Sequence, residues 1–244
     1  MLGARQSSPK GHFRGTVLAT PGAARRRAYS SQESQKQSVS VYIPAAFREE
    51  RQEVLAAFIR QHPLGALVCT TAEGLTANHI PMLLADQRLR GHVARGNTIW
   101  KSVEPEAPVL VIFGGANHYM SPSWYPAKKE HGKVVPTWNY SVVHAHGTIR
   151  FSDVKSQTRA YVTELTDSQE TARQQPWKVT DAPAKYIDMA LSRIVTFEIT
   201  VTRLVGKFKA SQHRAGAERQ SIRAALDAEG YAAADRDEVI REGQ

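Results

Sequence analysis

Between residues 45 and 61 the apolar positions Phe47, Val54, Leu55, Phe58 and Ile59 recur at helical spacing among charged neighbours, which predicts an amphipathic helix. Pro63 closes it, because a proline disfavours helical backbone at the residue before it. The period then shortens to two. Leu64–Thr70 is a short apolar run, Glu73-Gly74 a turn and Leu75–Leu84 the return strand of a hairpin. Asp86-Gln87 marks a second turn, Arg88–Ala94 a third strand and Thr98–Glu104 a short helical segment. Pro108–Phe113 reads as a buried strand and Gly114–Lys133 as a long loop. Val134–Phe151 alternates as a long strand, with a bend or bulge at Gly147. Helices are expected over Asp153–Leu165, Pro183–Arg193 and Ala215–Ala228, and a last strand over Ile194–Val201.

Mostly antiparallel strands with helices outside them define an α+β, barrel-like fold class. The βαβ alternation of a dinucleotide fold is missing. So are a G-x-G-x-x-G after a strand and a G-x-x-x-x-G-K-[ST] loop. The longest apolar stretch, around Val109–Phe113, is far short of the ~20 residues that span a bilayer, so no integral membrane protein is expected.

Charge changes the picture in one place. The net charge of +9 is uneven: residues 1–40 hold seven basic residues against the single acid Glu33, leaving +3 on the rest. The body therefore has no electrostatic claim on a phosphate backbone, and no helix-turn-helix pattern stands in it. Residues 1–40 are rich in Arg, Ser, Gly and Ala without apolar periodicity, which reads as a disordered basic leader. Such a leader resembles a mitochondrial transit peptide, with Arg27-Ala28-Tyr29-Ser30 as a cleavage pattern, or it is an upstream extension with the natural start at Val41. The first places the protein in the mitochondrial matrix, the second in the cytoplasm. The single cysteine, Cys69, excludes an internal disulfide and reads as a small buried hydrophobe.

Three segments carry candidate chemistry. Tyr119, Trp124, Tyr125, Trp138 and Tyr140 put five aromatics into 22 residues; they line a pocket for a planar ligand, or they plug a dimer interface or cap the core. Gly91–Lys101 places Arg95, Asn97 and Thr98 between a strand end and a helix, which suits a phosphate or an ordinary N-cap. In Gly206–Gln212, Lys207 and Lys209 bracket Phe208 on one strand face, either to close over an anion or as a solvated basic edge that blunts sheet pairing. His144 and His146 share a strand face, but no third ligand is fixed near them and His131 sits across a loop, so no metal site is expected. No nucleophile elbow, H-E-x-x-H motif or acid/base pair stands out, so no catalytic residue is assigned.

Val41-Tyr42-Ile43-Pro44, His62-Pro63-Leu64-Gly65, Ala77-Asn78-His79-Ile80-Pro81, Gly91-His92-Val93-Ala94-Arg95, Ser121-Pro122-Ser123-Trp124-Tyr125, Val135-Pro136-Thr137-Trp138-Asn139-Tyr140, Pro176-Trp177-Lys178 and Gly206-Lys207-Phe208-Lys209 occur in this order. Together they resemble the PaiB family of FMN-binding negative transcriptional regulators, from Val41 nearly to the C-terminus. The last motif departs from the family's usual Lys-Leu-Ser-Gln-Asn-Arg: here it reads Lys209-Ala210-Ser211-Gln212-His213-Arg214. The resemblance implies an FMN-binding split β-barrel over residues 41–205, related to pyridoxamine-phosphate oxidases, with a Lys-rich segment and helix over 206–244 packed on it. It implies a homodimer with FMN at the interface. Asn78, His79 and Ile80 would follow the isoalloxazine edge, His92, Arg95, Asn97 and Lys101 the ribityl chain and phosphate. Trp138 and Asn139 would come from the other subunit, and Lys207 and Lys209 complete the cofactor set. It implies a flavin-binding repressor or a partner of one, with DNA binding by family analogy alone; the alternative is an FMN-dependent oxidoreductase or flavin reductase.

Overall fold

The computed structural model describes residues 41–241, so the leader lies outside the described residues. In chain order the elements are β1 (Arg48–Glu49), α1 (Gln52–Gln61), β2 (Leu64–Thr71), β3 (Gly74–Pro81), β4 (Leu83–Ala85), β5 (Arg88–Ala94) and α2 (Ile99–Ser102). Then come β6 (Ala107–Met120), α3 (Ala127–Glu130), β7 (Thr137–Ser152), α4 (Lys155–Glu170), α5 (Ala184–Leu191), β8 (Ile194–Lys209), α6 (Gly216–Ala228) and α7 (Ala233–Val239).

All pairings are antiparallel, in the order β3-β2-β6-β7-β8-β5-β4, with β1 added beside β8. The two end strands, β3 and β4, are separated in sequence by Met82 alone. Both ends of the sheet must therefore meet within one residue, which curls it into a barrel. Asp86 and Gln87 close the β4–β5 hairpin at φ 50° and 59°, the positive pair that a two-residue turn matching strand twist requires. Gly147 sits at the expected bulge: opposite it the register of β8 slips by one residue.

The inward positions of the strands form the core, with Leu67, Leu89, Val111, Phe113, Val143, Phe197 and Ile199 almost inaccessible. Each such side chain contributes about 1.5–3 kcal/mol by leaving water. Helix α1 fills the barrel from one end. Its Leu55, Phe58 and Ile59 are buried, and Phe58 packs on Phe208 with ring centroids 5.2 Å apart. A second cluster holds Met120, Tyr125, Ile222, Leu226, Val239 and Ile240, so α6 and α7 seal the far end of the β6–β7 arm.

The structure corrects several boundaries. The first helix begins at Gln52, because Arg48–Glu49 pairs with Gly206–Lys207. The long loop is strand as far as Met120: β6 passes a bulge at Gly114–Asn117 and then pairs residues 117–120 with 137–140. Gly115 is required there, since a Cβ would lie 1.7 Å from Glu238 Oε1. The last strand continues from Val201 to Lys209, so position 205/206 falls inside β8. Among the described residues no helix is long and apolar enough to cross a membrane.

Candidate functional site

β3 alternates strictly. Thr76, Asn78 and Ile80 turn toward the barrel, while Ala77, His79 and Pro81 are exposed on the other face. At the rim, Asn78 Oδ1 accepts a 2.8 Å hydrogen bond from Asn97 Nδ2, in the turn after β5. Asn97 Oδ1 in turn accepts from the backbone N–H of Ile99 at 3.0 Å, which fixes the start of α2. These two asparagines line a cavity of ≈ 370 Å³ with Thr71, Glu73, Thr76, Thr98 and Ser102. Its volume lies at the lower end of the range for small-molecule pockets. Its polar wall is amide and hydroxyl, with Glu73 its acid, and Leu75 and Ile99 complete the lining.

Helix α2 has a second cavity on its other side, ≈ 330 Å³, lined by Trp100, Lys101, Glu104, Arg150, Phe151 and Asp153 among others. Trp100 is flanked by two cations: Lys101 Nζ lies 4.9 Å and the Arg95 guanidinium 5.7 Å from its ring. Arg95 is partly committed to the fold. It donates to Ser192 O at 2.8 Å and Ile194 O at 3.2 Å, and lies 3.6 Å from Asp153. It straps the end of β5 to the start of β8.

The expected residues thus fall into groups. Asn78 and Asn97 are brought together, while Arg95 and Lys101 flank Trp100 on the other side of α2. Ile80 is a core residue, 5% exposed, and offers a ligand no side chain. His92 shares the outward face of β5 with Arg90, which α4 covers through Tyr161 and Glu164. Burial pushes its pKa below the ordinary 6.5. Trp138 is exposed and meets Tyr119 edge-on at 6.1 Å. Asn139 points the opposite way: it is buried and donates to Ser211 Oγ and Val239 O, both at 2.8 Å. It anchors the C-terminal segment to the arm.

Lys207 lies inside the sheet: it pairs with Val142 of β7 on one side and Arg48 of β1 on the other, which removes an edge-blunting role for it. Lys209, beyond the end of β1, pairs with Tyr140 of β7. Thr98 lay in the segment that the sequence offered for a phosphate or an N-cap, but Thr71, Thr76 and Ser102 were not singled out; the inward polar pair Thr76 and Asn78, two residues apart on β3, was the signal that marked a polar rim.

The outward face of the sheet is apolar as well. Ala66 and Val68 of β2, Leu110 and Ile112 of β6, Val142 and His144 of β7 and Val205 of β8 remain half-exposed. Register aligns them in rows: His79–Ala66–Ile112–His144–Val205 and Val68–Leu110–His146–Arg203. Burial lowers the pKa of His144 and His146 from 6.5, and each is lowered further by a neighbouring charge, His146 and Arg203 respectively.

A curled antiparallel sheet with a polar rim, peripheral helices and an open apolar face defines a split β-barrel of the flavin-binding type. A model of the family described as "Putative FMN-binding domain" matches residues 41–203, and the chain belongs to that family. FMN is its cofactor. An uncharacterized protein of Emericella nidulans is 33% identical over 222 residues, covering 75% of this chain and 88% of its own. The Bacillus subtilis protein named "Protease synthase and sporulation protein PAI 2" is 30% identical over 178 residues, covering 71% and 83%, which bears out the PaiB resemblance. Among solved structures, the FAD and heme binding protein from Mycobacterium smegmatis superposes with a TM-score of 0.50 at 15% identity, covering 66% of this chain and 72% of that one. The flavocytochrome Anf3 from Azotobacter vinelandii gives 0.50 at 13%, with 70% of each chain covered. These two share the fold.

Proposed function

We propose that the chain is an FMN-binding homodimer with a regulatory role, its flavin seated where the rim of one copy meets the open sheet face of another. The observation that carries the reading is the outward face of β3-β2-β6-β7-β8. Leu64 and Leu75 are 57% and 79% exposed on it, and the rows across β2 and β6 are aliphatic at Ala66, Val68, Leu110 and Ile112, with His79, His144, His146 and Arg203 further out. A second copy is the self-complementary cover that a C2 interface supplies.

The donor set of the rim fits FMN. Asn78 and Asn97 offer amide donors and acceptors to a flavin edge, and Thr76, Thr98 and Ser102 offer hydroxyls to a ribityl chain. Glu73, held by Thr71 Oγ1 at 2.9 Å, keeps a phosphate away from its end of the cavity. Lys101 and the unspent donors of Arg95 supply the positive charge beside Trp100. His79, on the outward face, would touch the ligand only at the dimer seam. When bound, FMN supplies the redox chemistry; this chain's residues bind it, orient it and screen it from water.

The regulatory part is supported by the Bacillus relative, whose name places it in protease synthase and sporulation. With +3 on the body, regulation through a protein partner is favoured over direct reading of DNA. A second reading, an FMN-dependent oxidoreductase, is favoured by the lysine pair on β8. The test is the absorption spectrum and mass of the protein after native gel filtration. A yellow dimer supports the reading; a colourless protein that ignores added FMN, or a monomer, overturns it. A gel shift at low salt would replace the protein partner with DNA.

A further inference from the structure

We propose that Lys207 and Lys209 hold the anionic group of a second molecule, a carboxylate or phosphate compound that meets the flavin as reactant or effector. The assignment rests on the FMN-dimer reading above. Both side chains leave the same face of β8, from backbone positions two residues and about 7 Å apart. Their contacts are neutral. Lys207 Nζ donates to Tyr42 O at 3.1 Å and lies over the rings of Tyr42 and Tyr140, at 5.9 and 5.4 Å. Lys209 Nζ donates to Thr137 Oγ1. Arg48, directly across from Lys207, adds a third cation, and its counter-ion Glu50 sits 3.5 Å away on the exposed side. Like charges held together against partly buried aromatic surface are costly unless an anion joins them. Burial, then Lys207 and Arg214, already lower the pKa of Lys209, with Tyr140 opposing.

Position separates this site from the cofactor's own phosphate. Lys207 lies thirteen residues further along β8 than Ile194, whose carbonyl Arg95 holds, and Arg95 and Lys101 already place positive charge beside Trp100. One FMN carries one phosphate. The lysine pair meets a flavin only across the dimer, where its aromatic neighbours Tyr140, Trp138 and Tyr119 favour a flat body on the anion.

The experiment uses FMN-loaded wild type and the double variant Lys207→Gln/Lys209→Gln, with inorganic phosphate and benzoate as probes. Flavin absorbance and calorimetry read binding, and FMN and riboflavin are titrated separately into stripped protein. The expected result is millimolar binding of at least one probe to the wild type, weakened more than tenfold in the variant. The ratio of FMN to riboflavin affinity stays within twofold. Benzoate alone points to a carboxylate ligand and phosphate alone to a phosphorylated one. Collapse of the FMN-over-riboflavin preference in the variant would assign the lysines to the cofactor and overturn the proposal. A flavin-loaded dimer indifferent to both probes overturns it too, leaving the dimer reading intact; a colourless or monomeric wild type sinks that reading first.

Discussion

Asn97 spends both ends of one amide: its nitrogen on Asn78 and its oxygen on the N–H that opens α2. Asn97→Ala removes two hydrogen bonds and strands a half-buried carbonyl, so urea unfolding should register a loss of about 2 kcal/mol, and FMN affinity should fall with it. Asn97→Asp keeps the acceptor for Ile99 and should lose less. A second residue-scale prediction concerns acid. His92, His144 and His146 all have folded pKa values below the ordinary 6.5, burial being the first cause in each. The unfolded chain therefore binds more protons below 6.5, and stability, full above that pH, must fall as pH drops through it. Glu198 gives a later step. Burial opposes its charge, but hydrogen bonds from Tyr161, Arg90 and Arg88 win and lower its pKa from 4.5, so its contribution is lost only below that value. Urea midpoints across pH 7.5 to 4 should show the first decline above 5, and His144→Gln/His146→Gln should flatten it; an unchanged profile would clear these histidines. At this scale the sequence named Asn78, Asn97, Arg95 and Lys101 from their motif company. Asn139 and Ile80 came from the same motif company, yet their side chains turn into the fold, because a motif alone does not say which face of a strand a residue takes.

Elements were legible wherever the period was clean. The β2–β3 hairpin, the turn at Asp86-Gln87, α2 and the bulge at Gly147 stand where alternation and turn residues put them, but Leu75–Leu84, read as one strand, breaks at Met82 into β3 and β4. Reading failed where a tertiary partner overrides local pattern. Gly114-Gly115-Ala116 looks like loop, yet it is a bulge held open by Glu238, whose Oε1 accepts from Ala116 N at 3.1 Å while Oε2 lies 3.0 Å from His62 Nε2. Helix α7 has no apolar period to find; it exists because Val239 and Ile240 reach the second core. Two glycines turn this into a prediction. A Cβ at Gly147 would lie 2.3 Å from Thr200 O, a backbone atom in the neighbouring strand that cannot step aside. Gly147→Ala should cost about 1–3 kcal/mol. At Gly96 a Cβ meets nothing within 4 Å, so Gly96→Ala should stay within about 0.5 kcal/mol. Equal thermal shifts in the two variants would remove the bulge as a determinant of the fold.

For the whole molecule the informative feature is an apolar run that one chain satisfies only by half. Leu64–Cys69 and Val109–Phe113 are apolar at nearly every position, the mark of strands covered on both faces. The barrel interior covers Leu67, Cys69, Val109, Val111 and Phe113; Val68, Leu110 and Ile112 are left half-exposed. Composition alone could not show this, because the excess appears only once register assigns each residue a side. If a second copy is the missing cover, the native mass is twice that of one chain, and a charge at the centre of the face must split it. Ile112→Glu sets a carboxylate between Ala66 and His144, in the middle of the face that a second copy would bury, at a desolvation cost that one neighbouring imidazole only partly offsets. The expected outcome in light scattering is a folded monomer that has lost FMN, since the proposed seat of the flavin is the seam. Tyr186→Glu, on α5 and 58% exposed, introduces the same charge away from that face and should remain a flavin-loaded dimer. A dimeric, FMN-loaded Ile112→Glu protein would show that the two copies meet elsewhere.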